Sequence, residues 1–196
     1  MPKEKLFDEA EVLQKAMLIF WEKGYSATSV EELVKGMGIS RSSLYDTFKG
    51  KKELFERVFD TYRYFHEEGL ENFMEKQEDV LVGLKLIFQK VIAEDSSADS
   101  CKGCFVVNTA TELLPAPSTS YENQAILQHK EKMEDLFLNF LHKGVEKGQI
   151  TDGKDFAAIS RLLFTLMMGL RVVGKMKQDP EKAIASVEAV LSLLTD

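Results

Sequence analysis

The chain has 196 residues, of which 44% are hydrophobic and 29% charged, enough to bury one apolar core or two small abutting ones. No apolar run is long enough to cross a bilayer, and the amino terminus Met-Pro-Lys-Glu-Lys lacks the apolar stretch of a secretory signal. We therefore predict a soluble, cytoplasmic protein without a membrane partner. Two cysteines, three positions apart, argue against a disulfide scaffold.

The net charge of −7 is unevenly distributed along the chain. Residues 1–52 contain nine Lys or Arg and eight Asp or Glu, whereas residues 53–196 contain sixteen and twenty-four. The acidic excess therefore lies in the carboxy-terminal part, and a few well-placed cations near the amino terminus can still bind phosphate. The overall charge does not exclude DNA binding.

The first predicted helix carries an apolar stripe that ends at Gly24 and Tyr25. A glycine directly after such a stripe is a typical helix stop. The members of the stripe recur at helical spacing and are Ala10, Leu13, Ala16, Met17, Phe20 and Trp21.

Residues 28–49 form the most informative segment, because they predict two short helices joined by a glycine turn. Ser29 suits an N-cap, and Glu32 three residues later completes the pattern of a capping box. Apolar residues then follow at helical spacing to about Met37. Gly38 can adopt the left-handed conformation that ends a helix, so the turn after it is short.

Ser40 suits the N-cap of the second short helix, in which Leu44 and Phe48 lie inward. The opposite face is short, polar and rich in hydrogen-bonding groups, as a helix in the DNA major groove requires. Its predicted members are Ser42, Tyr45, Asp46 and Lys49, flanked by Arg41 and Ser43. The pattern alone is also compatible with an ordinary helical hairpin on a solvated surface.

Six further helices are predicted after this pair, with no strand-like alternation among them. They cover approximately residues 51–76, 80–91, 103–114, 121–147, 155–177 and 180–194. The acidic run 94–100 is predicted to be a loop, and Pro115 is expected to stop the helix before it. The total is about nine helices, and the short connections favour one helical bundle.

Four segments resemble the amino-terminal domain of the TetR (tetracycline repressor) family. They are Phe-x-x-x-Gly-Tyr at 20–25, Thr-Ser-Val-Glu-Glu-Leu-Val at 28–34, Gly-Ile-Ser-Arg-Ser-Ser-Leu-Tyr-Asp-Thr-Phe at 38–48 and Lys-Lys-Glu-Leu-Phe at 51–55. The ordered match covers about residues 6–60. The resemblance implies an all-α, TetR-like homodimer that binds DNA, usually as a repressor. It implies a helix-turn-helix domain at 1–50 and a helical ligand-binding and dimerisation domain at 51–196.

Several side chains of the amino-terminal part are candidates for contact with double-stranded DNA. Those suited to phosphate oxygens are Tyr45, Lys49, Lys51 and Lys52. Thr28 and Ser29 can offer hydroxyls and free amides at a helix start, although Ser29 can equally serve only as a cap. The residues that begin the second short helix complete the predicted interface: Ser40, Arg41, Ser42 and Ser43. Arg41 suits guanine acceptors, whereas Asp46 can accept from cytosine or hold a neighbouring cation.

The last two helices are the predicted dimer interface, by the resemblance and by their excess of apolar residues. Helix 155–177 is apolar on more than one face, and helix 180–194 has a seam that a monomer would leave partly exposed. The predicted interface residues are Phe156, Leu163, Met167, Leu170, Ile184, Val187, Val190, Leu191 and Leu194. The alternative is that these residues form a monomer core.

A small-molecule effector pocket is predicted among the middle helices. Aromatic and methionine side chains would supply its walls: Tyr62, Phe65, Phe73, Phe88, Phe105, Met133, Phe137, Met167 and Met168. Polar anchors would be Asn108, Thr109, Glu112, His129 and Arg171, and Cys104 is a further candidate for ligand contact. Residues of these types at helical spacing are also typical of a packed core.

Cys101 and Cys104 are candidates for a redox or electrophile switch. They stand at a predicted helix start, where the amide dipole and Lys102 lower a thiol pKa and the preceding acidic loop raises it. The segment Gly-Cys-Phe-Val-Val-Asn-Thr-Ala-Thr-Glu-Leu at 103–113 resembles a TetR subgroup, some members of which sense oxidants or electrophiles through cysteine. Cys104 can alternatively be a small buried apolar residue, and two thiolates are too few for a zinc site.

The sequence thus predicts a transcriptional regulator, not an enzyme, released from a near-palindromic operator by a hydrophobic or thiol-reactive effector. No cofactor or metal is predicted. A thiol-disulfide redox protein using Cys101 and Cys104 is the alternative, although it would require strands around that pair. A helical interaction protein that has lost DNA binding is a third interpretation.

Overall fold

A computed structural model describes residues 7–96, 102–176 and 179–195. Over these ranges the chain forms nine α-helices and one 3-10 turn, and no strand, which confirms the predicted all-α class. The helices are α1 Glu9–Lys23, α2 Val30–Met37, α3 Arg41–Phe48, α4 Lys51–Lys76, α5 Val80–Ser96, α6 Phe105–Leu113, α7 Tyr121–Glu146, α8 Phe156–Gly174 and α9 Pro180–Leu191, with the 3-10 turn at Ser192–Leu194.

Four helix boundaries differ from the sequence prediction by two or more residues, and two of these are the ends of α8 at Gly174 and of α9 at Leu191. Helix α5 continues through Ser96, so the first residues of the predicted acidic loop are helical. Helix α6 begins at Phe105 because Cys104 is its N-cap, with extended backbone angles. The rest of the predicted loop, with Cys101, lies outside the described residues.

An apolar cluster holds α1, α2 and α3 against the first half of α4. Phe20, Leu44 and Phe55 are fully buried within it. The cluster also takes in Cys104 and Phe105 from the start of α6. The helices α1 to α3, hereafter the DNA-binding helices, are therefore packed directly onto part of the remaining bundle.

A second apolar cluster joins the later half of α4 to α5, α7, α8 and α9. The rings of Phe88 and Phe137 stack at its centre, 6.3 Å apart. Helix α4 has 26 residues and contributes to both clusters. At 1.5 Å per residue it is about 38 Å long, which makes it the rigid element shared by the two halves.

Helix α8 is the one described helix long and apolar enough to cross a membrane by length and composition, contrary to the expectation that no segment would be. In the structure it packs against α7 and α5 as a helix of the bundle. Its apolar residues divide between a buried face and an outward face. The outward surface, hereafter the α8 exposed face, consists of Ala158, Leu162, Thr165, Gly169 and Val172 of α8 and Met176 in the turn that follows it.

Candidate nucleic-acid interface and effector cavity

The start of α2 is fixed by a reciprocal capping box. The Ser29 hydroxyl accepts from the Glu32 amide at 3.2 Å, and the Glu32 carboxylate accepts from the Ser29 amide at 2.9 Å. Lys23 from α1 also donates to this carboxylate. The Lys23 contact, with the two hydrogen bonds from Ser29, lowers the pKa of Glu32 to about 2. The capping box therefore stays ionised over the whole physiological pH range.

The turn between α2 and α3 is as short as the sequence predicts. Gly38 has φ 72° and ψ 29°, the left-handed conformation that costs glycine least. The amides of Gly38 and Ile39 both donate to the Val34 carbonyl, at 3.1 and 3.2 Å. Ile39 folds back into the core, so the direction of α3 relative to α2 is fixed.

Three serine hydroxyls cluster at the start of α3. Ser40 accepts from the Ser43 amide at 3.0 Å as an N-cap, and its oxygen lies 2.8 Å from the hydroxyls of both Ser42 and Ser43. The helix ends at Lys49, whose φ of 66° is unusual for a residue with a side chain. Both ends of the helix are thus closed by local hydrogen bonds.

The two faces of α3 differ in burial as predicted. Leu44 and Phe48 are buried, whereas Ser42, Tyr45 and Lys49 are exposed. This outward side, with Arg41, is hereafter the recognition face. It is polar throughout and free of the protein core, which is the geometry that contact with a DNA groove requires.

Arg41 is held by a carboxylate of the preceding helix. Its guanidinium donates to Glu31 at 2.5 Å and lies 5.8 Å from the centre of the Tyr45 ring. A hydrogen bond to its own backbone amide, followed by the one from Arg41, lowers the pKa of Glu31, and Glu31 in turn raises the pKa of Arg41. Both side chains of this ion pair are exposed to solvent.

The structure corrects the prediction for Thr28. Its side chain is only 1% exposed, and its hydroxyl donates to the Gly24 carbonyl at 2.6 Å, so it cannot reach DNA. Ser29 remains accessible, but its hydroxyl is committed to the capping box. Lys51 is half-buried, and its ammonium lies 4.3 Å from the centre of the Tyr25 ring.

A cavity of about 260 Å³ lies between α4, α5, α7 and α8, with the start of α6 closing one end. Its wall consists of Tyr62, Phe65, His66, Gly69, Leu70, Phe73, Leu86, Ile87, Lys90, Val91, Glu94, Cys104, Val106, His129, Met133, Met167, Met168 and Arg171. Size, concavity and a mostly apolar wall with a few polar groups are typical of a small-molecule site. Nine of these eighteen residues were named in the sequence-based prediction.

Six residues predicted to bind the ligand lie away from the cavity wall. Phe88 and Phe137 are fully buried in the second apolar cluster, and Phe105 packs edge-on against Tyr62 in the first. The other three are polar residues of α6, namely Asn108, Thr109 and Glu112. Their spacing could place them on either side of α6, and the packing of α6 turns them away from the cavity.

The polar residues of α6 have structural partners. The Asn108 side chain donates to the Lys102 carbonyl at 2.7 Å and accepts from Lys175, whereas Thr109 is buried. Glu112 accepts from the backbone amides of Tyr25 and Ser26, at 2.9 and 2.6 Å. These contacts fasten α6 to its neighbours.

Both ends of α6 are attached to the region of α1. The Trp21 indole donates to the Gly103 carbonyl at 2.8 Å, just before the helix begins, and Glu112 holds the turn that follows α1 near the helix end. Cys104 and Val106, between these attachments, line the cavity. Helix α6 thus connects the cavity wall to the DNA-binding helices.

The polar groups of the cavity are paired with one another. Arg171 donates to Glu94 at 2.7 Å, and the buried His129 ring lies 2.6 Å from a Glu67 oxygen. His66 lies at the wall with its ring 4.1 Å from that of Tyr62. Burial, followed by the charge of Arg171, lowers the pKa of His66 to about 4, so the ring is neutral at physiological pH although it is accessible through the cavity.

Sequence reasoning missed all of the wall that α5 supplies. Leu86, Ile87, Lys90, Val91 and Glu94 all belong to α5, whose apolar pattern identified a helix but not the side that faces a cavity. The other omissions were His66, Gly69, Leu70 and Val106. Leu86, Lys90 and Glu94 follow one another at a spacing of four, which could have indicated a helix face with both apolar and charged residues.

Six residues of the predicted dimer interface are buried within the single chain. They are Phe156, Leu163, Met167, Leu170, Val187 and Leu194. Ile184, Val190 and Leu191 are only half-buried. The α8 exposed face and the exposed Leu193 were not predicted, because helical spacing alone does not say which of two apolar sides faces inward.

A short polar recognition helix on a packed three-helix unit, attached to a helical bundle that encloses a cavity, defines the class of helix-turn-helix transcriptional regulators. Residues 12–58 match the family described as bacterial regulatory proteins, tetR family. The chain is a transcriptional regulator with a DNA-binding helix-turn-helix, and it is similar to regulators of the tetR family.

Full-length similarity accompanies this match. The chain is 28% identical over 198 residues to the uncharacterized HTH-type transcriptional regulator YezE of Bacillus subtilis, covering 99% of this chain and 100% of that protein. It is 29% identical over 192 residues to the HTH-type transcriptional repressor ComR of Escherichia coli, covering 96% and 90%. Both similarities extend well beyond the DNA-binding helices.

Solved structures have the same architecture. The TetR family regulator CifR, a cysteine mutant in complex with a 26-bp double-strand operator DNA, superposes with a TM-score of 0.84 at 25% identity, covering 97% of this chain and 98% of that chain. The reduced form of Escherichia coli NemR has a TM-score of 0.82 at 17% identity, covering 92% and 94%, a similarity of fold alone.

Proposed function

We propose that this chain is a homodimeric transcriptional repressor that binds a near-palindromic operator and leaves it when an effector occupies the cavity. The observation that carries the proposal is the recognition face of α3, polar and exposed on a helix whose two ends are capped. The repressor name of the relative ComR and the operator bound by CifR support the same conclusion.

Within this proposal, the residues of the recognition face have distinct roles. Arg41 contacts guanine acceptors after leaving Glu31, and the serine hydroxyls beside it accept or donate at neighbouring base edges. Tyr45 and Lys49 bind phosphate oxygens and fix the register of the helix in the groove. Lys51 contributes positive charge near the same strand, while Ser29 presents its capped helix start to a phosphate.

Gel-shift titration with double-stranded oligonucleotides that the chain selects from a randomised pool tests DNA binding. We expect Arg41→Ala to weaken binding to the selected duplex by about 1 to 3 kcal/mol and to relax the preference for one base pair. Lys49→Ala should weaken binding to all duplexes alike and reduce the salt dependence of the affinity. Lys15→Ala on α1, whose ammonium pairs with Glu11, is the matched charge control. Failure to select any sequence would contradict the proposal.

Dimerisation through α8 and α9 presents two recognition helices to one operator. The α8 exposed face supports this assignment, because Leu162, Val172 and Met176 are 39, 40 and 75% exposed in the single chain. Small residues between them, such as Gly169, allow a second helix to approach closely. The half-buried Ile184, Val190 and Leu191 of α9 were also predicted for the interface.

Binding in the cavity can reach the DNA-binding helices through α6 and α4. Cys104 and Val106 form the end of the cavity, and α6 is attached to the α1–α2 turn by Glu112. Tyr62 and His66 lie on α4, which continues to the recognition helix. An effector that displaces either helix changes the separation of the two recognition helices in the dimer.

We also propose that Cys104 is a point at which thiol-reactive compounds act. Its sulfur lines the cavity and lies 3.9 Å from the Tyr62 hydroxyl, at the N-cap of α6. Burial, together with the neighbouring Cys104, raises the pKa of Tyr62, so the phenol stays protonated and can donate to a thiolate. The thiol-disulfide enzyme alternative is not favoured, because Cys104 is buried and no strand surrounds it in the described residues.

A maleimide tests the cysteine hypothesis directly. We expect alkylation to weaken operator binding in the native chain and to leave Cys104→Ala unaffected, while Cys101→Ala shows which thiol is responsible. Equal loss of binding in the doubly substituted chain would show that the reagent acts elsewhere. Mass spectrometry of the treated protein identifies the modified residue.

A further inference from the structure

The cavity is polar at one end and apolar at the other. On α4, Tyr62 and His66 precede the apolar Leu70 and Phe73, which lie one to two turns further from the DNA-binding helices. On α8, Arg171 lies one turn beyond Met167. An elongated ligand with one polar end therefore has a single favoured direction in this site.

Helices α5 and α7 follow the same division. Lys90 and Glu94 stand on the turns of α5 that face the polar end, and Leu86 stands one turn before them. On α7, His129 precedes Met133 by one turn. Four helices thus place their polar lining residues at one level, close to Cys104 and the DNA-binding helices.

Among the residues that line the polar end, cations outnumber carboxylates. Lys90 and Arg171 are cations, and Glu94, which pairs with both at 3.9 and 2.7 Å, is the one carboxylate in the wall, while Glu67 lies outside the wall against His129. Burial is the largest cause of the lowered His66 pKa; Arg171, His129 and Lys90 lower this pKa further, and Glu94 raises it. A second anion is therefore better accommodated here than a second cation.

Resting on the proposed function of the cavity, we propose that its effector is an anionic amphiphile. A carboxylate head binds Arg171 and Lys90, and an apolar tail extends between Leu70, Phe73, Leu86 and Met133. The head displaces Glu94 from Arg171 in part, and Glu94 is half-exposed and able to turn toward solvent. Arg171 is well suited to a planar carboxylate because its guanidinium offers two parallel donors.

The length of the apolar part limits the tail. From His66 to Phe73 the wall rises about 10 Å at 1.5 Å per residue. An extended chain advances about 1.3 Å per carbon for bonds of about 1.5 Å. Tails of about eight carbons therefore fill the apolar part of the site, and much longer tails exceed its length.

Calorimetric titration of the full chain with three matched eight-carbon probes tests the proposal. Sodium octanoate should bind at least about tenfold more tightly than octan-1-ol or octylammonium, since a charge-assisted hydrogen bond contributes on this order. Arg171→Gln should weaken octanoate about ten- to a hundredfold and leave octan-1-ol unchanged. Glu94→Gln should strengthen octanoate, because it removes the competing carboxylate. Lys85→Gln, at the residue directly before Leu86 and paired with Glu188 outside the cavity, is the control.

Equal affinity for the three probes, or preference for octylammonium, would overturn the anion assignment. A loss of affinity in Arg171→Gln that is as large for octan-1-ol as for octanoate would also overturn it. The Glu94→Gln result is independent of any folding defect in Arg171→Gln. Gel shifts on the same preparations separate the two proposals: a chain that binds its selected duplex but not octanoate contradicts this inference alone, and a chain that selects no duplex contradicts the proposed function.

Discussion

The contact between Glu112 and the α1–α2 turn gives the most direct test of how the two halves are joined. In Glu112→Ala the amides of Tyr25 and Ser26 lose an acceptor at 2.9 and 2.6 Å. A hydrogen bond to a charged group contributes about 1.5 to 3 kcal/mol when shielded, but Glu112 is exposed and water replaces part of it. We expect the local opening of the turn to become about 1 to 2 kcal/mol easier.

Hydrogen exchange measures this opening residue by residue. An opening easier by about 1.4 kcal/mol raises the exchange rate of the Tyr25 and Ser26 amides about tenfold. Glu112→Gln should lie between the native chain and Glu112→Ala, because its carboxamide keeps one acceptor oxygen. Thr111→Ala is the matched control, since the Thr111 hydroxyl bonds only to carbonyls of its own helix. Similar exchange rates of the Tyr25 and Ser26 amides in Glu112→Ala and Thr111→Ala would refute a stabilising role of the Glu112 contact.

Three further outcomes are expected. Leu44→Ala, at a fully buried position of α3, should lower the free energy of unfolding in denaturant titrations by about 2 to 5 kcal/mol, whereas the exposed Leu18→Ala should change it by less than about 1 kcal/mol. Leu162→Glu on the α8 exposed face should yield a monomer in sedimentation experiments, and Leu127→Glu, equally apolar and exposed on α7, should remain a dimer; a dimeric Leu162→Glu would contradict the interface. Because the Glu32 pKa falls from 4.5 to about 2 on folding, its stabilisation is complete above pH 4.5 and is lost as the pH falls toward 2, so the difference between the native chain and Glu32→Gln in thermal unfolding should shrink over that interval.

The DNA-binding helices could be predicted closely because their determinants are local. The capping box joins Ser29 to Glu32, three residues apart, and the left-handed Gly38 bonds to the carbonyl four residues before it. The structure shows both. The inward side of α3 followed from two apolar residues at a spacing of four. Thr28 was placed wrongly because its partner, the Gly24 carbonyl, becomes available only once α1 has ended.

The cavity could be predicted only in part because it depends on how helices are rotated against each other. Ile87 and Phe88 are neighbours in sequence, yet one lines the cavity and the other fills the core. A rotation of about 100° per residue separates them, and no local pattern fixes its origin when α5 is apolar on several sides. The same ambiguity in α8 led to inner residues such as Leu163 being assigned to the dimer interface.

The tie between Arg41 and Glu31 has a consequence for how a genome is searched. On non-specific DNA we expect the protein to contact only the sugar-phosphate backbone, so that Arg41 stays paired with Glu31. At a site with a correctly spaced guanine, we expect the base to replace that carboxylate as the partner of Arg41. We expect this exchange to shorten the time spent at incorrect sites, so that removal of the carboxylate makes the protein bind bulk DNA more tightly and discriminate less.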